Sequence, residues 1–153
     1  MTSVSIENLC SKLERNKSRV CETFGNISES GWGKNIYTEP YEWNYHDLLA
    51  HFVSTEMSLL SLLKNIELGG DGANEDFNYN EFNKKENIKY KQYLPNELLE
   101  LFIKNREATI EWTRNIDEKK LLLKGMHPSL GKITIREIIM SIYGHVLMHL
   151  RDL

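Results

Sequence analysis

The stretch TIREIIMSIYGHVLMHL, residues 134–150, decides the fold. Ile135, Ile138, Ile142, His145 and His149 recur at steps of three and four, so they fall on one stripe of an α-helix. Thr134 stands three residues before Glu137, the pattern of a capping box that opens a helix. Just upstream, GMHPSLGK (residues 125–132) gathers glycine, proline and serine and reads as a turn.

Working outward, three more helices follow from the same periodicity. Ile6, Leu9, Leu13, Val20, Phe24 and Ile27 mark an amphipathic first helix. Residues 28–43, SESGWGKNIYTEPYEW, break that period and read as a structured loop whose aromatics cover one end of the molecule. A second helix begins near Asn44, an N-cap residue, and runs to Gly69 and Gly70. Leu48, Phe52, Thr55, Leu59, Leu62 and Ile66 share its inner face, with His51 among them. Residues 69–93 lack a sustained apolar period and read as a long connection with room for a short helix. Pro95 suits a first helical turn, after which Leu98, Leu99, Phe102, Arg106, Thr109 and Ile116 recur at helical spacing. With no alternation of strands and helices, the expectation is an all-α chain: one domain over residues 1–153, a four-helix bundle with a long connection between helices two and three.

A chain of 153 residues, 41% hydrophobic and 27% charged, is long enough to bury roughly 70% of its unfolded surface. Its 19 basic and 22 acidic residues give a net charge of -3 and form no basic stripe, so no nucleic-acid partner is expected. No apolar run reaches the roughly 18 residues that span a bilayer, and MTSVSIENLCSKLERNK at the start carries charges where a leader peptide is apolar. A cytoplasmic protein with no membrane partner is expected. Cys10 and Cys21 on one helix would lie about 16 Å apart along its axis, too far for a disulfide, and read as small packed side chains.

The histidines carry the chemistry. His145 and His149, at i and i+4, present two imidazoles on one face, and His51 would supply a third from across the core if helices two and four are neighbours. Three imidazoles suit one divalent ion, whether zinc, nickel, copper or iron, and leave a coordination position open. HVLMH has the spacing of zinc proteases, but Val146 stands where their glutamate would be. The absence of a Glu-x-x-His pair argues against a two-metal carboxylate site. The alternative is that each histidine is a core residue satisfied by a hydrogen bond. His46 points to another side of helix two and should face solvent. His127 could lie at the mouth of the site or simply pack in its turn. Asp47, one turn before His51, reads first as an acid favoured by the helix dipole and second as an acceptor orienting the His51 ring.

WNYHDLLAHFVSTE (43–56), EDFNYNEFN (75–83) and above all HPSLGKITIREIIMSIYGHVLMHLRDL (127–153) resemble the DinB-like, or YfiT-like, metalloprotein superfamily, of the mini-DinB type. The resemblance covers the chain from Trp43 onward and implies a four-helix bundle, commonly a homodimer. In it, one histidine of the second helix and two of the last bind a divalent metal, and the matching positions are His51, His145 and His149. Members include S-transferases that use mycothiol, bacillithiol or glutathione, and a maleylpyruvate isomerase. The resemblance therefore implies a metal-dependent enzyme acting on a small-molecule substrate, foremost with a low-molecular-weight thiol. A hydrolase using metal-bound water and a non-catalytic metal- or ligand-binding bundle are the alternatives.

Overall fold

The computed structural model describes residues 5–153; residues 1–4, at the head of the stretch read as lacking a leader, lie outside them. Five helices form: α1 (Ile6–Gly25), α2 (Tyr45–Glu67), α3 (Tyr79–Tyr90), α4 (Pro95–Asn115) and α5 (Ile135–Leu150). Two antiparallel pairs of short strands join them, β1 (Asn35–Tyr37) with β2 (Trp43–Asn44) and β3 (Lys124–His127) with β4 (Gly131–Thr134). Among the described residues the fold is mostly helical, with five α-helices and two small sheets, where four helices and a long connection with room for a short one were expected; α3 lies in that connection. Among the described residues no helix is long and apolar enough to cross a membrane.

Local chemistry sets the helix starts. Ser5 caps α1 through Asn8 N, Asn44 and Asp47 exchange the two bonds of a capping box at α2, and Thr134 and Glu137 do so at α5. Each satisfies amide groups that the first turn leaves without partners. Asp47 is thus committed to its own helix start and does not orient His51.

The four long helices touch in a closed cycle, α1 against α4, α4 against α2, α2 against α5 and α5 against α1, while α3 lies along α2. Because α2 has neighbours on three sides, residues 47–54 are all buried and its apolar stripe widens beyond the one read from sequence. Two apolar clusters fill the interior. One holds Leu9, Leu13, Leu63, Ile110 and Ile138; the other holds Val20, Phe24, Phe52, Phe102 and Val146.

A polar layer separates them. Arg106, fully buried, donates from Nε and one terminal nitrogen to the two carboxylate oxygens of Glu56, both at 2.9 Å. Its other terminal nitrogen donates to Asn16 Oδ1 at 2.8 Å and to the Leu13 carbonyl at 3.1 Å. Arg106 had the spacing of the inward stripe, and its partner from α2 explains how a cation survives there: bidentate pairing and further acceptors offset the loss of water. Cys10 and Cys21, both on α1, are free thiols.

Two stretches gained structure. Residues 28–43 hold a single 3₁₀ turn at Glu29–Gly31 and the β1–β2 pair. The connection after α2 is pinned where Gly72 crosses β3: Met126 N donates to the Asp71 carbonyl at 2.8 Å and Ala73 N to the Met126 carbonyl at 2.9 Å. Gly72 has φ +88°, and a Cβ there would meet Met126 O at 2.6 Å, so glycine is required. This crossing leads the chain into α3 beside the β3–β4 turn.

Candidate metal centre

His51, on the buried face of α2, meets His145 and His149 on α5. The Nε2 of His145 lies 3.1 Å from that of His51 and 3.1 Å from that of His149. The three rings stand nearly perpendicular to one another, at 79°, 86° and 86°, so nitrogens converge rather than faces stack. One donor nitrogen from each ring lies within 4.8 Å of the other two.

Burial keeps these rings uncharged. It pushes His51 well below the usual imidazole range, with His145 and His149 adding repulsion. It takes His145 down to about 3, with repulsion from His149 and His127, and lowers His149 against the opposing pull of Asp152. A neutral imidazole offers one lone pair and one N–H.

The outer hydrogen bonds settle which nitrogen carries the proton on His149. Tyr37 donates its single hydroxyl proton to Asp152 Oδ2, because a carboxylate only accepts. Its oxygen, 2.8 Å from His149 Nδ1, must then accept from Nδ1–H. That leaves the His149 Nε2 lone pair facing the cluster. Burial first, then the bond to Asp152 and its charge, push the Tyr37 phenol upward, so it keeps its proton. His51 Nδ1 has the Thr55 hydroxyl at 3.3 Å.

The donor set fits a divalent cation. Zinc–imidazole bonds of about 2.0–2.1 Å in a tetrahedron spread the nitrogens by about 3.3 Å, close to the two 3.1 Å spacings about His145, while the His51 and His149 donors lie within 4.8 Å of each other.

The three rings form the floor of a cavity of about 950 Å³. Trp43 and Tyr41, stacked with ring centroids 5.0 Å apart, make one wall, and Phe77, Tyr79 and Phe82 at the start of α3 make another. The Tyr41 hydroxyl donates to Asn80 Oδ1 and ties these walls together. No Asp, Glu, Lys or Arg is among the described residues that line the cavity.

His127 also lines it, from the β3–β4 turn. His46 stands apart: its Nε2 bonds to the Tyr93 carbonyl at 2.7 Å, so it joins α2 to the approach of α4 and is half-buried rather than free in solvent. Sequence reasoning missed Tyr37 and Asp152. Asp152 follows His149 by three residues, a helical neighbour spacing that was available as a signal; Tyr37 had none beyond its place in an aromatic loop.

A family model described as the DinB superfamily matches residues 12–153. No curated protein matches the chain in sequence. Among solved structures, the mycothiol-dependent maleylpyruvate isomerase aligns with a TM-score of 0.79 at 16% identity, covering 100% of this chain and 63% of that one. This chain thus spans 63% of the isomerase's length. The colibactin self-resistance protein ClbS, crystallised with a dsDNA, aligns with a TM-score of 0.75 at 16% identity, covering 99% of this chain and 96% of its own. An uncharacterized protein from Clostridium difficile 630 aligns with a TM-score of 0.70 at 15% identity, covering 99% and 96%. At such identities the likeness is one of fold.

The ClbS complex overturns one expectation. Absence of a basic stripe in the sequence was read as excluding nucleic acid, yet a protein of this fold is seen with dsDNA. A whole-chain charge of -3 sums over the surface and does not report how folding distributes it, so it excludes no such partner.

Proposed function

The chain belongs to the DinB superfamily, and from that premise we propose that it is a metal-dependent enzyme acting on an apolar small molecule, foremost as a low-molecular-weight-thiol S-transferase. The four long helices are read as a bundle core that holds one divalent ion between His51, His145 and His149. The observation that carries the reading is the convergence of three neutral imidazoles on the floor of a mostly apolar cavity with no charged side chain among its described lining residues. Bound there, a divalent cation would lower the pKa of a thiol that reaches it and so supply a nucleophile at neutral pH.

The chain's own residues supply the rest. Tyr37 and Asp152 hold the His149 Nε2 lone pair inward, and Thr55 steadies His51. Apolar walls exclude water and favour a greasy electrophile over a charged one. No carboxylate among the described lining residues stands ready to take a proton, so a thiol or a water at this site would depend on the ion for its activation. The neighbouring maleylpyruvate isomerase, described as mycothiol-dependent, supports a thiol as the partner substrate.

Turnover tests this. Zinc- or nickel-loaded protein is mixed with cysteine, glutathione, mycothiol or bacillithiol and with monochlorobimane as electrophile. Conjugation should exceed the spontaneous rate with at least one thiol and should vanish on chelation and in His145→Ala. No acceleration with any of the four thiols would sink the transferase reading.

A further inference from the structure

His127 is held by two sets of bonds that fix its proton. Its Nδ1 accepts from Ser129 N at 3.0 Å and from Leu130 N at 3.1 Å, with the Ser129 hydroxyl at 3.4 Å. A nitrogen receiving two backbone amides must carry a lone pair, so the proton of the neutral ring sits on Nε2. That Nε2 is 3.3 Å from Ser141 Oγ, and Ser141 gives its own proton to the Ile138 carbonyl at 2.6 Å. Ser141 is therefore an acceptor here, and the long contact leaves the Nε2–H able to serve a better-placed acceptor.

Both His127 and Ser141 line the cavity whose floor is the three-histidine cluster. Most of the surrounding wall is aromatic or aliphatic, so a donor fixed on it has high value for orientation. A histidine locked with its lone pair in the turn is poorly suited to act as a base toward the cavity, since taking up a proton would displace two backbone amides. Burial also lowers its pKa and keeps it neutral.

We propose that His127, fixed as its Nε2–H form by the β3–β4 turn, is a substrate-recognising donor that binds an oxygen acceptor, such as a carbonyl, on a planar apolar substrate seated between the aromatic walls. The inference deepens the enzyme reading by naming a substrate class, and it rests on that reading only for the identity of the cavity as the substrate site. It assigns His127 to binding rather than to proton abstraction.

Two measurements test it without turnover. The first is long-range ¹H–¹⁵N NMR of histidine-labelled protein, which distinguishes the two ring forms directly. His127 should show protonated Nε2 and bare Nδ1, and the opposite form would overturn the proposal. The second compares binding of 2-acetylnaphthalene with that of 2-ethylnaphthalene, probes matched in shape but differing in the carbonyl oxygen. His127→Asn keeps an oxygen where Nδ1 caps the turn and removes the donor, whereas His127→Gln returns an N–H near the Nε2 position. Wild type should prefer the acetyl probe by about tenfold, His127→Gln, which restores an N–H but lacks the anchor at the Nδ1 position, should prefer it by less, and His127→Asn should lose that preference. An equal preference in His127→Asn and wild type would refute the donor role. Because neither readout involves a thiol, failure of thiol transfer leaves both results standing, and failure here leaves thiol transfer untouched.

Discussion

Replacing Tyr37 by phenylalanine deletes one oxygen and leaves the ring, which stands at 65° to His149 with centroids 5.7 Å apart. The change strands the His149 Nδ1–H and releases Asp152 from the pair. His149 is then free to place its proton on Nε2, the nitrogen that faces His145 at 3.1 Å, and so to withdraw a ligand lone pair. Outer partners of metal-binding histidines are worth roughly 10- to 100-fold in metal affinity. His149 is only half-buried, so water can replace part of the lost bond. The expected loss in Tyr37→Phe is accordingly near the lower end, about tenfold, or about 1.4 kcal/mol. Asp152→Asn keeps an acceptor for the phenol but removes the charge, and a charge-assisted bond is about twice as strong as a neutral one, so its loss should be smaller, about threefold. Competition for zinc against a chromophoric chelator measures all of these, with His145→Ala as the variant that loses a ligand outright. If Tyr37→Phe binds zinc as tightly as wild type while His145→Ala does not, the relay from Asp152 through Tyr37 has no part in holding the site.

Three other outcomes follow from the packing and the titrations. Arg106→Met strands the Glu56 carboxylate in the core and should destabilise the fold by about 3–5 kcal/mol in denaturant melts, whereas the double change with Glu56→Leu should recover much of that loss. Folding lowers the pKa of His51, His145 and His149, so the unfolded chain binds more protons below about pH 6.5 and metal-free stability should fall as pH drops through that value toward 3. His145 alone contributes about 2 kcal/mol of that loss at about pH 5, and a melting temperature that stays flat from about pH 7 to 5 would contradict it. Gly72→Ala should cost about 1–2 kcal/mol from its left-handed backbone alone, with the close approach to Met126 adding to it, as read by thermal unfolding.

How far the sequence could be read depended on whether a feature was local. Periodicity placed His145 and His149 on one face and His51 on the inner stripe of α2, and the caps at Asn44 and Thr134 lay within three residues of their partners. The α3 helix has no such pattern: its buried residues are Asn87 and Tyr90. Oriented so that its oxygen accepts from Trp43 Nε1 at 2.9 Å, Asn87 holds α3 to a residue distant in sequence. The strands are two to four residues long, too short for alternation to show. Tyr37 meets His149 across 112 positions and Asp152 across 115, so their relation exists only in the fold. The turn read over GMHPSLGK is confined to residues 128–130, with β3 and β4 taking its flanks and His127 ending β3, and the proton arrangement of His127 depends on amide directions that composition does not carry.

The Arg106–Glu56 layer also works as an index mark. Arg106 on α4, Glu56 on α2 and Asn16 on α1 meet at one level, and His145 on α5 shares a small void with Glu56. Sliding α2 against α4 by one turn, about 5.4 Å, would strand both charges in apolar clusters, and sliding α1 would take the Asn16 and Leu13 acceptors from Arg106. Greasy surfaces tolerate such slips, whereas a bidentate ion pair recognises only one alignment. The nitrogens of the candidate site must agree to within a fraction of that distance, so the layer that contributes least to binding anything is what keeps α1, α2 and α4 in step around it.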